Sequence, residues 1–487
     1  TEGDWGGPDA DLGGDVEPDS VDASGTESCP PRSSLKTLAA DRWGYELIPN
    51  VVTDDGSDSL VLEVFVTQAN VKQVRLAAIS FLFKGPGTGA TAELRDDGQH
   101  PDRIAGDGIY TGGPYSYDPN SPVKIVRLYN DPESPAGLDF QSLGRIELVL
   151  EDDSVQQFLQ EPVVGVLRAD VPLPTIDDLG DGIAATSHVL NICGSDFLTQ
   201  TRLRFLSGAA SGLTQRAYGK LKDSAQFVAM LSTYKLERIG NQPSNYNAGL
   251  YDRVRNSISG INVPPIDSGA LFGSDQHLLG VLTLDLARRG LNASNLAHEL
   301  LHNWSGSVAT GGISDGVHFS QHSSVGSLLG GFLWVEQNDG SFIRDCSEGR
   351  NKAHRAAPLD RYLMGLIPGD EVPPILIATT EAIVDCGGVE PPKPYSVVTI
   401  EEIQQQYGVR TPGPDQSRRD YRIIFLAESL GRYLTPQEMA FYTILAKKVA
   451  ETVPLGDPDP YVQQLGWVAL ERFFGHGTSW ETALDFK

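Results

Sequence analysis

The residues best suited to chemistry lie in one short run, His298-Glu299-Leu300-Leu301-His302. On an α-helix, side chains four apart stand on one face. The two imidazoles then converge on a single cation, and zinc takes His nitrogen at about 2.0–2.1 Å. Glu299 lies close to that face and can reach a metal-bound water without ligating the metal. An H-E-x-x-H run on a helix is a pattern of metal-assisted hydrolysis. A helix carrying these residues by chance is the bland alternative, and two further histidines nearby, His318 and His322, argue against it.

A catalytic zinc keeps three protein ligands and one open position. Asp315, His318, His322 and Glu336 are the candidates for the third, and His318 is the expected one. It lies 16 residues beyond His302, after a Gly-rich stretch long enough to leave the helix and return to the metal. Strand alternation in Val317-His318-Phe319 would put His318 opposite two apolar neighbours, facing a cleft. His322 would follow on the same face, about 13 Å away in a strand. Asp315, between Ser314 and Gly316, has the form of a turn residue and is the runner-up. Tyr362 is a candidate oxyanion donor. Four histidines (His298, His302, His318 and His322) could instead close a structural zinc site.

The motif must sit on an element that holds it still. Leu296, Leu300 and Trp304 recur every four residues on the opposite side and would anchor a helix in a core. Asn292 and Ser294 are candidate caps at its start, and Gly306 a candidate stop. A strand at Val281 to Asp285 feeds the helix. Before it come a strand at residues 188–192, a helix at 214–221, a strand at 226–231 and a loop at 269–280. After it, residues 330–336 and 341–343 form a hairpin candidate around Asp339-Gly340. Helices are expected at 359–366, 400–407 and 436–451, with a strand at 421–425 between the last two. No internal repeat is visible.

The first 28 residues carry nine acidic and no basic side chains and cannot bury a core. Asp9 and Asp11 there faintly resemble a calcium loop, but a linker fits better. From about residue 45 to 169, short strand runs at 60–66, 74–83, 124–129 and 145–150 alternate with turns, as in an antiparallel β-sandwich. Within it, Asp96, Asp97, Asp102 and Asp107 could hold a hard cation such as Ca²⁺ through oxygens. The competing and favoured reading is a turn network, with Asp side chains bonding backbone amides.

The net charge of -26, from 38 basic and 64 acidic residues, repels nucleic acid. No apolar run reaches the ~18 residues of a membrane span. The chain starts at Thr1 without a signal-peptide core, which reads as a processed, exported form. Cys346 and Cys386 could pair in an oxidising compartment, whereas Cys29 and Cys193 have no obvious partner.

Four segments carry a family resemblance: His298-Glu-Leu-Leu-His302, Asp315-Gly-Val-His-Phe-Ser320, Asp360-Arg-Tyr-Leu-Met-Gly365, and Asp96-Asp-Gly98 with Ala105-Gly-Asp-Gly-Ile-Tyr110. On these the chain resembles secreted bacterial zinc metallopeptidases of the zincin class, with an immunoglobulin-like domain in front. The resemblance implies zinc on His298 and His302, Glu299 as general base, and a substrate cleft bordered by the edge strand of an upper subdomain. Met364 matches the methionine beneath the metal in metzincin turns, or is a core residue of an apolar helix. The metzincin Gly and third His are absent, their places being taken by Ser305 and Val308.

The expected architecture is therefore multidomain. It comprises an acidic linker (1–40), an antiparallel β-sandwich (41–170), a second linker (171–182) and an α+β zincin-like domain (183–487). The last divides into an upper subdomain (183–306) and a largely helical lower one (307–487). The expected activity is zinc-dependent hydrolysis of protein or peptide substrates outside the cell. A surface adhesin or carbohydrate-binding protein with a non-catalytic zincin-like domain is the alternative, and it would have no use for Glu299.

Overall fold

The computed structural model describes residues 42–66, 70–122, 139–158, 161–194, 207–238, 250–285, 293–336, 338, 342–344, 356–378, 395–453, 469–475 and 477–487. The acidic segment 1–40, the run 124–129, and Cys29, Cys346 and Cys386 lie outside them.

The first region is a β-sandwich. One sheet holds Arg42–Ile48, Leu60–Val66, Ile109–Tyr117 and Phe83–Lys84; the facing sheet holds Val155–Gln157, Arg145–Leu150, Val71–Ala77 and Thr91–Leu94. All these pairings are antiparallel. Period-2 alternation places Leu60, Leu62 and Val64 against Val74, Leu76, Ile146 and Leu148 in one buried core. The expected run 74–83 is not one strand. Ala78 adopts φ 51°, which ends the extended backbone, and pairing resumes at Phe83 in the opposite sheet.

The second region is built on an eight-stranded mixed sheet. Its centre is parallel, in the order Val189–Cys193, Asp420–Ser429, Phe227–Ser232, Gly280–Asp285. These strands are covered on both faces, and Phe227–Ser232 is buried throughout. The helix Ser207–Lys220 packs Leu213, Ala217 and Tyr218 on one face, against Val228, Met230 and Val281. The helix Ala293–Leu301 covers the other, with Leu296 and Leu300 in one cluster with Phe227, Ala229, Leu282 and Leu284. Leu250–Arg253 closes one side of the sheet, antiparallel to Gly280–Asp285.

Two expected boundaries dissolve. The strand expected at 421–425 is Asp420–Ser429, and it lies at the middle of this sheet. The division into an upper half and a helical lower half is therefore not followed, because the sheet needs a partner from each. Residues 177–182, expected as linker, form the strand Asp177–Gly180 and a two-residue turn into Ile183–Ala185. Asp181 and Gly182 both have positive φ, as a tight right-twisted hairpin requires.

The two regions share strands and core. Tyr234–Arg238 leaves the second region to pair with Arg42–Ile48 of the sandwich. The helix Pro436–Val449 packs on Val51–Thr53 and Val163–Leu167, and Val51, Val163 and Leu167 belong to the larger core. A buried polar network seals the junction. Arg432 pairs with Glu438 at 2.6 Å, Thr233 donates to Glu46 at 2.8 Å, and the Asn50 amide donates to Glu438 at 2.8 Å. Among the described residues, no helix is long and apolar enough to cross a membrane.

Candidate metal centre

The motif helix forms where its periodicity places it. Leu296 and Leu300 are fully buried and Trp304 is 1% exposed, each such burial contributing about 1.5–3 kcal/mol. Ser294 lies inside the first turn instead of capping it, and Asn292 is outside the described residues. Gly306 does end the turn region, at φ 89°. A side chain there would strike the Val317 carbonyl, so the chain folds back closely over the helix end. The guanidinium of Arg253 donates to the His302 carbonyl at 2.5 Å and to that of Asn303 at 3.2 Å. A cation at a helix C-terminus is favoured by the exposed carbonyls.

His298, His302 and His318 come together, one ring nitrogen of each lying within 4.8 Å of the others. His298 turns Nδ1 to the Leu328 carbonyl at 2.8 Å. A carbonyl only accepts, so Nδ1 carries the proton and Nε2 presents its lone pair inward. That Nε2 stands 3.3 Å from Nε2 of His318. Two nitrogens at zinc distance from one tetrahedral centre stand about 3.3–3.4 Å apart, so the spacing suits a shared cation. Burial pushes the pKa of His298 down to about 4 and that of His302 down to about 2, and it lowers His318 as well. All three rings are thus neutral near pH 7, the form that ligates a metal. Glu299 is 4% exposed, and burial pushes its carboxyl up to about 8.

His318 arrives by a different route from the expected strand. Phe319 is buried as foreseen, but Val317 is 54% exposed. The segment is a turn built by Asp315, whose Oδ1 accepts the amides of Val317 at 2.8 Å and His318 at 2.7 Å. The amide of Asp315 closes the turn on the His318 carbonyl at 3.1 Å. These amide bonds lower the Asp315 pKa. The expected runner-up ligand therefore shapes the loop that presents the expected ligand. His322 does not join the group; its backbone is tied to Ser320 and Ala378. The Glu336 side chain lies outside the described residues.

Tyr362 is 4% exposed, and its hydroxyl accepts from Gln404 Nε2 and the Arg410 amide, each at 3.1 Å. Those bonds fix it in the core, and no described contact joins it to the imidazoles. Met364 is fully buried in the main core. Sequence reasoning passed over Leu328, whose carbonyl sets the His298 tautomer, and Arg253. A backbone carbonyl has no sequence signature, and Arg253 lies 49 residues from His302.

A second group, Asp96, Asp102 and Asp107, also brings one oxygen of each within 4.8 Å of the others. Its carboxylates also accept backbone amides. Asp96 accepts the amides of Asp107 and Gly108, each at 3.0 Å, Asp102 accepts that of Gly98 at 2.5 Å, and Asp107 that of Ile109 at 2.9 Å. Asp97 is not of this group and accepts the Gln99 amide at 2.9 Å.

Cys193, for which the sequence offered no obvious partner, is disulfide-bonded. Comparison with known proteins adds no relative: no family model, no curated protein and no solved structure matches the chain.

Proposed function

We propose that the chain is a zinc-dependent endopeptidase in which His298, His302 and His318 hold one Zn²⁺ and Glu299 is the general base. The observation that carries this reading is the convergence of three neutral imidazoles beside the helix that also carries the buried carboxyl of Glu299. Nitrogen donors in this number suit zinc with one position left open. When bound, zinc supplies a Lewis acid that brings the pKa of water from 15.7 towards about 7. The chain's own groups do the rest. The Leu328 carbonyl fixes the His298 ring, and the Asp315 turn presents His318. Glu299 is uncharged in the buried site alone, and a neighbouring cation favours its charged form. In that form it takes a proton from the attacking water and delivers it to the leaving amine. Leu250–Arg253, at the end of the described sheet, offers main-chain groups to an extended peptide.

The disulfide at Cys193 supports an oxidising compartment outside the cytosol. The aspartate group, all oxygen, would suit Ca²⁺, but its carboxylates already accept backbone amides, and we assign it no cation.

Digestion of casein or gelatin by the purified protein, with and without chelator and beside Glu299→Gln, tests the proposal. Chelator-sensitive cleavage that Glu299→Gln abolishes while retaining zinc is expected. Activity of the variant within about tenfold of the parent, about 1.4 kcal/mol of barrier, removes Glu299 as the base. A zinc-loaded parent that cuts nothing favours the binding-only alternative.

A further inference from the structure

Asp360 is a buried acid that the zinc reading leaves without a role. It is fully buried, and no cation pairs with it in any described ion pair. Its Oδ2 accepts the Ala357 amide at 2.7 Å, closing the first turn of the helix Pro358–Met364. Capping alone does not require burial, since an exposed cap serves a helix as well. Its Oδ1 has no full hydrogen bond.

The surroundings of Oδ1 give the carboxylate a second task. The hydroxyls of Ser327 and Ser305 lie beside the carboxyl and favour its charged form, although burial outweighs them and pushes its pKa up to about 6. Ser305 is 2% exposed, and its Oγ likewise lacks a full hydrogen bond. Asp360 Oδ1 and Ser305 Oγ are therefore a buried acceptor and a buried donor, each without another partner, on side chains that lie beside each other. Ser327 Oγ accepts the Leu329 amide at 3.0 Å, which leaves its proton to point at Asp360.

These two serines stand at informative places. Ser305 is three residues past His302, where the chain leaves the motif helix. Ser327 precedes Leu328, whose carbonyl holds Nδ1 of His298. The loop it opens is closed by the bonds between Ser327 and Gly330, and it holds Phe319, next to His318, through the Leu329 carbonyl at 2.9 Å.

We propose that Asp360 is a positioning residue for the metal centre, binding the loop that orients His298 to the segment that follows His302. This rests on the zinc reading above. One buried carboxylate accepting from both segments fixes two ligand-bearing pieces of chain relative to each other. Groups that hold ligands in this way contribute about 10–100-fold to metal affinity.

The test measures zinc affinity by competition with a chelator, together with the melting temperature of the metal-free protein. It compares the parent, Asp360→Asn and Ser305→Ala. Asparagine keeps the acceptor for the Ala357 amide but cannot accept from two hydroxyls on its other side. The Ser305 hydroxyl has no other hydrogen bond to lose, so the alanine variant reads the link where Asp360→Asn fails to fold. We expect about 10–100-fold weaker zinc in Asp360→Asn and a smaller loss in Ser305→Ala. The Co²⁺-substituted Asp360→Asn variant should show an altered d–d spectrum. Zinc affinity within about twofold of the parent in both variants overturns the proposal, as does a fall in melting temperature with affinity unchanged. A parent that binds no zinc overturns the zinc reading instead, so the two failures are distinct.

Discussion

The chain gathers metal-ligand side chains twice among its described residues, and the two clusters differ in where their lone pairs go. In both, one atom from each of three side chains lies within 4.8 Å of the others. In the sandwich loop the carboxylates of Asp96, Asp102 and Asp107 accept backbone amides and so help to fold a turn. In the second region the proton on Nδ1 of His298 is spent on Leu328, and Nε2 is left for the centre. Asp315 shows the same contrast within one loop: its amide bonds build the turn, and the histidine on that turn meets His298 and His302. Proximity of ligand-type atoms is thus a poor criterion alone. The useful question is which atoms the surrounding hydrogen bonds already occupy.

The largest expected effect breaks or keeps this contrast outright. Alanine at His298, His302 or His318 should abolish tight zinc binding, whereas Asp96→Asn with Asp107→Asn should leave zinc content unchanged. Elemental analysis of protein purified without added metal checks both. Equal zinc loss from the two sets would show that the clusters had been wrongly ranked.

The second effect is on stability. The Glu299 carboxyl, raised from its ordinary 4.5 to about 8, binds its proton more tightly when folded. Its stabilising contribution is therefore complete below about pH 4.5 and is lost as pH rises through about 8. Glutamine does not titrate. Metal-free Glu299→Gln should be more stable than the metal-free parent at pH 8, by an amount on the order of a few kcal/mol. The advantage should shrink as the pH approaches 4.5. Denaturant titrations at pH 5 and 8 read it, and an advantage independent of pH refutes the linkage.

The third effect sharpens the role of Asp315. Asp315→Ala should weaken zinc by about 10–100-fold, as loss of an outer partner does, and less than His318→Ala does. If Asp315→Ala were the more damaging, the carboxylate would be a ligand and His318 its neighbour.

The smallest effect belongs to the sandwich. Asp102→Asn should cost about 1–3 kcal/mol of stability through the amide bonds it weakens at Gly98 and Ile104. Adding Ca²⁺ should not raise the parent's melting temperature. A calcium-dependent rise lost in Asp102→Asn would reverse the assignment of this loop as a turn network.

Local pattern made much of the molecule legible. The four-residue spacing of Leu296, Leu300 and Trp304 announced the motif helix, and period-2 alternation announced Leu60–Val66 and Arg145–Leu150. Thr399 with Glu402 and Thr435 with Glu438 are capping boxes at the starts of Ile400–Tyr407 and Pro436–Val449. One local signal reads two ways: the Gly and Asp residues of 177–182 suit a linker, yet Asp181-Gly182 is a hairpin turn between paired strands.

By itself the sequence determined which residues could bind a metal. It also fixed which helix carries two of them, because a helix sets the geometry of residues four apart without help from the rest of the chain. Tertiary structure decided the rest. It brought Asp420–Ser429 between Val189–Cys193 and Phe227–Ser232, and lent Tyr234–Arg238 to the sandwich, because strand pairing depends on edges supplied by distant segments. It chose His318 over His322 through the Asp315 turn, where alternation had suggested a strand. It also buried Asp360 behind Ser305 and Ser327. Burial, tautomer and the direction of a lone pair are set by neighbours across space, and no spacing along the chain encodes them.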